Sequence, residues 1–354
     1  MTSPVVVGVD GTGRSLKALM WAAHRASLHG VPLRIVHALP RYEGDLPFFP
    51  PGRFEEAQKY GREYLEEATS LVREAYPVMD IVTEMPMGTP THVLFAESEN
   101  AHAVVIGAKG EDIGNLLLGS TALQLVGHAA CPVVVVNHVT TGHHLVVVGT
   151  DGSPDSTEAL AFAFGAASLG KSRLQVISAL GLPQGWPTHL LRPLPEDNEE
   201  VAKRRQEVEN QVAPFREQYP DVEVELDVHR VGPLHALATA SHRADLLVVG
   251  SRGRGGFHGL AVGSTTHKLL HMAGCPMAVV HARTDECRYA DLGTHPARPG
   301  LSCGQCRSPC SGMKSHAVPY SLRQKRMLHG HRRPGRPAQR LWQNVKGQEK
   351  RRQW

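Results

Sequence analysis

The chain has 354 residues, with 38 Lys or Arg and 34 Asp or Glu side chains. Residues 284–354 hold 15 of the basic and 4 of the acidic ones, a net charge of +11, so residues 1–283 carry −7. An acidic body disfavours a nucleic-acid-binding protein, except through the basic tail. No apolar run approaches the roughly 20 residues of a membrane helix, and no secretory signal opens the chain. With only Cys131 and Cys275 in the body, we expect a cytoplasmic protein without a disulfide framework or membrane contact.

Two copies of one sequence pattern fill the body. Residues 5–11, VVVGVDG, recur as VVVGTDG at 146–152, and the GST at 119–121 recurs at 263–265. The offset is 141 at the first pair and 144 at the second, so both order and spacing are kept. The repeat predicts two tandem domains, 1–140 (copy one) and 143–283 (copy two).

Each copy alternates short β-branched runs with stretches of helical spacing. In copy one the predicted strands are 5–9, 33–38, 79–83, 103–107 and 132–136. Continuous Val and Ile runs indicate strands that helices cover on both faces, as in a parallel sheet. We therefore predict an α/β fold with two tandem open five-stranded parallel sheets flanked by helices, of Rossmann-like type. The Pro-rich stretches 40–55 and 181–197 are predicted to be surface loops.

The tail, residues 284–354, differs from both copies. Only seven of its 71 residues are Leu, Ile, Val or Phe, and its charge is strongly positive, so we predict disorder. Three interpretations stay open: sequence read out of frame from a GC-rich gene, a disordered basic appendage, or a metal site on Cys303, Cys306 and Cys310. The metal site is disfavoured because few apolar residues could pack around the ion and the Cys spacing is unusual.

The loops after the first and fourth strands carry the candidate binding residues, because ligands of open α/β sheets lie where the strand order reverses. In copy two the fourth strand leads into GSRG at 250–253, and after nine residues GST at 263–265 opens a helix. Glycine lets the backbone approach a ligand, and free N–H groups at a helix start suit phosphates. Ser264 and Thr265 would add hydroxyls and Arg252 a charge. A loop that merely turns the chain is the alternative.

This spaced glycine pattern, together with the Asp after the first strand, resembles the universal stress protein family in its tandem form, over residues 1–283. The resemblance implies an open five-stranded α/β sheet, and ATP binding, which many members perform through this motif. Mg²⁺ as a companion of the ATP stays open. By the same resemblance the phosphates and ribose would be held by Gly250, Gly253, Gly263, Ser264 and Thr265. Asp151, after Gly149, would lie at the nucleoside side of the cleft; a turn or helix N-cap role is the competing interpretation for it.

Copy one departs from this pattern in its loop. Gly110 is followed by eight residues before Gly119, one fewer than in copy two, and Glu111-Asp112 stand where copy two has Arg254-Gly255. Carboxylates repel a triphosphate unless they face water or a cation, so copy two is predicted to be the stronger nucleotide site. Copy one still retains the other matching residues, Gly8, Asp10, Gly107, Lys109, Ser120 and Thr121.

No enzyme signature accompanies these loops. The body lacks a G-x4-G-K-[ST] P-loop, a G-x-S-x-G elbow and a carboxylate pair placed for acid–base chemistry. We therefore predict a binding module without catalytic residues, with slow ATP hydrolysis left open. His267 and His271 lie one helical turn apart but have no evident third ligand, so a solvated helix face is favoured over a metal site.

The assembly follows from the resemblance. It implies that the last strands of the two copies, 132–136 and 276–280, pair as an internal pseudo-dimer, which would cover their bare edges. It also makes a homodimer of tandem chains plausible. The expected function is a nucleotide-dependent regulatory module of a stress response, with ATP as its ligand. A nucleotide-independent dimerisation scaffold and a weak ATPase are the alternatives.

Overall fold

The computed structural model of the chain describes residues 3–40, 53–108, 119–180, 199–253 and 261–282. Within these ranges the strands are β1 Val5–Gly8, β2 Leu33–Val36, β3 Ile81–Glu84, β4 Ala103–Gly107, β5 Val133–Val136, β6 Leu145–Gly149, β7 Arg173–Ala179, β8 Val224–His229, β9 Leu246–Gly250 and β10 Met277–Val280. The helices are α1 Gly13–His29, α2 Arg53–Ala75, α3 Pro90–Ser98, α4 Ser120–His128, α5 Pro154–Gly170, α6 Glu199–Gln218, α7 Pro233–Ser241 and α8 Ser264–Met272.

The element order agrees with the predicted alternation of strands and helices. The predicted loop 40–55 is wrong at its end, because α2 begins at Arg53, where Glu55 and Glu56 favour the positive end of the helix dipole. The rest of that loop, the stretch 181–197 and the tail 284–354 lie outside the described residues, apart from residue 40. No helix within the described ranges combines the length and apolarity of a membrane span.

The sheet has ten strands in the order β3-β2-β1-β4-β5-β10-β9-β6-β7-β8. Each copy contributes five parallel strands, and β1 lies between β2 and β4, so the strand order reverses at the carboxyl end of β1. Strands β5 and β10 pair antiparallel, with Val134 opposite Ala278. The predicted pairing of the last strands is therefore confirmed: each copy covers the edge strand of the other.

Helices cover both faces of this sheet. Residues of α1, α2, α5 and α6 form one core, and residues of α3, α4, α7 and α8 form the other. Strand β5 shows why its sequence is an unbroken Val run: Val134 and Val136 face the first core, Val133 and Val135 face the second, and all four are buried. Because each buried Val contributes roughly 1.5–3 kcal/mol, a strand with two apolar faces stabilises both layers.

The helix starts differ in a way that matters for the site. Thr12 caps α1 and Ser153 caps α5, each accepting a hydrogen bond from the N–H three residues on. Helices α4 and α8 instead begin after Gly119 and Gly263, and no side chain of the described ranges caps them. Among these residues, the first N–H groups of both helices therefore have no side-chain acceptor at the carboxyl edge of the sheet.

Candidate functional site

A cavity of about 350 Å³ lies in copy one beyond the carboxyl ends of β1, β2 and β4. It sits where the strand order reverses, the place at which open α/β sheets bind ligands. Its lining includes predicted site residues, namely Gly8, Asp10, Gly107, Gly119 and Thr121. It also includes polar residues that the sequence analysis did not select, namely Thr12, Arg14, Ser15 and His37. We name this cavity the copy-one cleft.

Two glycines let helices approach the strand ends around the copy-one cleft. A Cβ on Gly107 would lie 2.8 Å from the backbone oxygen of Arg14, so the first turn of α1 rests directly on the end of β4. A Cβ on Gly8 would lie 2.9 Å from the Leu94 side chain of α3. Position 107 therefore needs glycine for packing alone, whether or not a ligand binds, whereas a side chain at position 8 would have to displace only the end of the Leu94 side chain.

Asp10 presents a carboxylate at the mouth of the copy-one cleft. The N–H and the hydroxyl of Thr12 both donate to its Oδ1, at 3.0 and 2.6 Å. Burial by itself would raise the pKa of Asp10, but the hydrogen bonds from Thr12 and Ser15 outweigh burial and hold the pKa below its ordinary value. The group is therefore ionised at neutral pH and can accept hydrogen bonds from ligand hydroxyls.

Arg14 supplies a cation to the copy-one cleft, and His37 supplies an imidazole ring. Within the described residues, the Arg14 side chain makes no hydrogen bond or ion pair, so its guanidinium is available to an anion. The Nδ1 of His37 lies 2.8 Å from the carbonyl oxygen of Val9, which can only accept, so we assign the proton to Nδ1. The edge of the His37 ring meets Tyr64, with ring centroids 5.6 Å apart.

The start of α4 forms the remaining wall. Gly119 and Thr121 line the copy-one cleft, whereas Ser120, the first residue of α4, is exposed and is not among the lining residues. Predicted site residue Gly110 lies outside the described residues, together with Lys109 and the shortened loop.

In copy two, Asp155 occupies the position at which the glycine loop was expected to hold phosphate. Its Oδ2 accepts hydrogen bonds from the Ser251 hydroxyl at 3.1 Å and from the Arg252 N–H at 2.9 Å. Its Oδ1 accepts one from the N–H of Ala282. A carboxylate of the chain itself thus binds a backbone N–H of the glycine loop in copy two.

A second carboxylate lies on the same loop. A Cβ on Gly253 would collide with Oδ2 of Asp151, so a side chain at this position would have to displace the Asp151 carboxylate. Oδ1 of Asp151 accepts the N–H of Ser153 at 2.9 Å, which is a turn contact, and Ser153 rather than Asp151 is the N-cap of α5. The turn interpretation of Asp151 is therefore confirmed, and the N-cap interpretation is wrong.

Copy two fills its strand edge with internal hydrogen bonds. Ser178, which stands where copy one has His37, donates to the Thr150 carbonyl and accepts from Arg204 Nε at 2.8 Å. Buried Thr266 stands where copy one has Ala122, and its hydroxyl donates to the Gly250 carbonyl at 2.9 Å. At the helix start, Gly263 donates its N–H to the Ser251 carbonyl at 2.8 Å, while Ser264 is exposed and Thr265 half-buried. Gly149, at the end of β6, packs against Leu237.

The cysteines and histidines singled out in the sequence have ordinary environments. Burial raises the pKa of both Cys131 and Cys275 to about 12, so neither thiol is a thiolate at neutral pH. His267 and His271 have ring centroids 5.2 Å apart, and within the described ranges no three potential ligands gather for a metal. The Cys residues of the tail lie outside the described residues.

The decisive residues that sequence reasoning missed are Arg14 and Asp155. The same offset of 141 that relates Asp10 to Asp151 relates these two positions. Aligning the copies residue by residue, rather than motif by motif, would have found this change from cation to anion in the first turn of α1 and α5.

Known proteins match both copies. The universal stress protein family matches residues 1–137 and again 143–281. A universal stress protein of Mycolicibacterium smegmatis is 33% identical over 293 residues, which are 79% of this chain and 97% of that protein. The crystal structure of a universal stress protein from Archaeoglobus fulgidus covers 80% of this chain and 97% of its own, with 18% identity and a TM-score of 0.61.

A shorter solved relative is a universal stress protein in complex with cAMP; it is 26% identical, with a TM-score of 0.32, and the match covers 38% of this chain and 97% of that one. The order of strands, the antiparallel joining of two five-stranded halves and the double family match lead to one conclusion: the chain belongs to the universal stress protein family and carries the family's domain twice.

Proposed function

We propose that this chain is a cytoplasmic, ATP-binding regulatory protein whose nucleotide site is the copy-one cleft. The observation that carries the proposal is the 350 Å³ cavity at the strand-order reversal, which combines an ionised Asp10 with an Arg14 that has no partner within the described residues. Its volume falls in the range of pockets that hold small molecules, roughly 300–1,000 Å³. We take 1–140 and 143–283 as the two domains.

The residues of the cleft fit a nucleotide by their chemistry. Asp10 would accept hydrogen bonds from ribose hydroxyls, because its carboxylate stays ionised. Arg14 and the uncapped N–H groups at the start of α4 would bind phosphate oxygens, since a guanidinium and a helix N-terminus both favour anions. Apolar side chains such as Val36 and Leu94 would contact the base.

The glycine spacing predicts that copy two is the stronger nucleotide site, whereas the charges near the loop favour copy one. In copy two, Asp155 lies against the glycine loop and already accepts the Arg252 N–H, whereas copy one has Arg14 at that position. At an effective dielectric constant of about 20, a carboxylate about 5 Å from a phosphate repels it by about 3 kcal/mol. That energy corresponds to about a hundredfold weaker binding, which outweighs the more regular glycine spacing of copy two.

The role of such a site is regulatory rather than catalytic. The Thr12 hydroxyl donates to Asp10 within the turn that leads into α1 and also caps that helix, so this hydroxyl–carboxylate contact serves the turn. Nucleotide occupancy would instead bias the first turn of α1 and the loop before α4, and with them the surface presented to a partner protein. We expect the chain to act as a homodimer.

The test is an ATP titration by calorimetry on the full chain, with Asp10→Ala and Asp151→Ala as a matched pair. Both variants remove a carboxylate that accepts a hydrogen bond within its own turn, so their effects on folding should be similar. We expect one site per chain, weakened about tenfold or more by Asp10→Ala, which loses the charge-assisted hydrogen bonds to ribose, and unchanged by Asp151→Ala.

The reverse pattern would place the nucleotide in copy two. Two ATP sites per chain, one lost in Asp10→Ala and the other in Asp151→Ala, would support nucleotide binding but contradict the preference for copy one. No binding at millimolar ATP, in chains whose thermal unfolding is normal, would favour the nucleotide-independent scaffold. Turnover lost with Asp10→Ala would indicate the weak ATPase.

A further inference from the structure

A second cavity, of about 440 Å³, lies between the two copies at the opposite end of the sheet from the copy-one cleft. Its floor includes Val5 and Ala103, at the amino ends of β1 and β4, and its sides are the second halves of α1 and α5. Both copies contribute to it, so the site exists only in the tandem arrangement. We name it the inter-copy cavity.

Arg25 supplies the charge of the inter-copy cavity. Its guanidinium stacks over the ring of Trp21, 5.2 Å from the ring centroid. Stacking engages the face of the guanidinium and leaves the N–H groups at its edge available. Among the described residues, Arg25 has no hydrogen-bond acceptor and no carboxylate within 4.0 Å, and the more distant Asp245 accepts the N–H groups of His143 and His144.

Two further bases line the inter-copy cavity. The ring centroids of His29 and His102 lie 4.3 Å apart, and within the described residues their side chains make no hydrogen bond, ion pair or other ring contact. Burial, the neighbouring His102 and Arg25 together lower the pKa of His29 to about 4. The pKa of His102 is lowered too, by burial and by Arg25, so both imidazoles are neutral at pH 7. The inter-copy cavity therefore holds one cation and two polar rings, and Asp245, whose charge acts on Arg25 from a greater distance, is not among its lining residues.

The remaining walls are apolar or aromatic. They include Trp21, Val134, Phe162, Leu169 and the ring of Tyr219. A glycine in α5 keeps one wall open: a Cβ on Gly165 would find only the Tyr219 hydroxyl, at 3.8 Å. Few convergent polar groups within a mostly apolar pocket are typical of a small-molecule site.

We propose that the inter-copy cavity binds a small organic anion, with one acidic group on an aromatic or apolar body. The acidic group would take the free edge of Arg25, and the body would pack on Trp21 and Phe162. A buried charge without a partner is costly, so an anion that supplies the missing partner gains affinity from this arrangement. The proposal does not rest on nucleotide binding by the copy-one cleft.

The experiment compares two probes on the full chain: 8-anilinonaphthalene-1-sulfonate and its uncharged counterpart N-phenyl-1-naphthylamine. Arg25→Gln removes the charge and keeps a shorter, polar, unbranched side chain. We expect this variant to weaken binding of the sulfonate about tenfold or more, because a charge-assisted contact is lost, and to change binding of the neutral probe much less.

Gly165→Leu is the second variant, since it fills the inter-copy cavity without a backbone collision and should favour α5. Binding of both probes is expected to disappear while the thermal unfolding temperature is kept or raised. Three results would overturn the proposal. The first is that the sulfonate does not bind the wild-type protein at all, and the second is that it still binds Gly165→Leu. The third is that its affinity falls no more than that of the neutral probe in Arg25→Gln. ATP affinity, measured in both variants, should remain at the wild-type value.

Discussion

The copy-one cleft and the equivalent region of copy two have nearly the same backbone, but side chains of opposite charge follow their first strands. At the first turn after β1, copy one places the cation Arg14 beside a cavity, whereas copy two places the anion Asp155 on its own glycine loop. His37 borders open space in copy one, while its counterpart Ser178 is fixed between Thr150 and Arg204. A repeat can thus preserve a binding fold and replace its ligand with one of its own side chains.

The glycines do not distinguish these two outcomes. A Cβ on Gly250 would lie 2.9 Å from the carbonyl carbon of Asp155, just as one on Gly107 would lie 2.8 Å from the Arg14 oxygen. Close packing of a helix on a strand end requires glycine in both copies, with or without a ligand. A glycine motif therefore predicts the loop, and the charges facing the loop decide what it binds.

Reversing the charge of Arg14 should have the largest effect, because it makes the copy-one cleft resemble copy two. Arg14→Asp puts in copy one the residue that copy two has, and we expect ATP affinity to fall about a hundredfold or more, from like-charge repulsion and the lost cation. Arg14→Gln, which loses only the cation, should cost about tenfold. Calorimetry on the full chain measures the ATP affinity of both variants. Equal affinities for Arg14→Asp and the wild type would show that Arg14 does not contact the nucleotide.

Removing the Asp155 carboxylate should allow copy two to bind ATP, which is the converse of the change at Arg14. Asp155→Ser removes the carboxylate that holds Ser251 and Arg252, and we expect the number of ATP sites per chain to rise from one to two. Leaving those donors without an acceptor should also lower the free energy of unfolding by about 1–3 kcal/mol in the absence of ATP. Titration calorimetry and urea unfolding measure the two effects. Asp155→Asn, which loses the charge but keeps an acceptor, should destabilise less; a stoichiometry of one in Asp155→Ser would show that something else closes copy two.

Much of the fold could be predicted because it depends on pattern. Valine runs such as 133–136 identify strands buried on two faces, and the repeat identifies the paired edges. The side chains that occupy the carboxyl edge of each copy could not be predicted, because their contacts join residues that are far apart in the sequence. Asp155 meets Arg252 across 97 residues, and no local pattern records that contact. The start of α2 was missed for a local reason, since prolines before Arg53 hid its first turn.

A smaller effect is expected at the pair Ala122 and Thr266. The buried Thr266 hydroxyl donates to the Gly250 carbonyl, whereas Ala122 leaves space in the copy-one cleft. Thr266→Ala should lower the free energy of unfolding by about 1 kcal/mol, the net contribution of one hydrogen bond, and should not change ATP affinity. Ala122→Thr should weaken ATP binding because it narrows the cleft. Urea unfolding and calorimetry separate the two; no loss of affinity in Ala122→Thr would mean that this wall does not contact the ligand.

The smallest effect concerns acid stability and Asp10. Its hydrogen bonds with Thr12 and Ser15 hold the pKa in the folded protein below the ordinary value, despite burial, so unfolding raises the pKa and takes up a proton. The stabilisation is therefore fully present above the unfolded pKa of about 4 and is lost as the pH falls through the lower folded value. Asp10→Asn keeps an acceptor for Thr12 but cannot titrate. Its stability should fall less than that of the wild type below about pH 4, a difference that urea unfolding at stepped pH would measure. Parallel curves would mean that the turn, not the charge, holds Asp10 in place. A separation confined to acid pH would show that the carboxylate facing the copy-one cleft is already held ionised by its own turn before any ligand arrives.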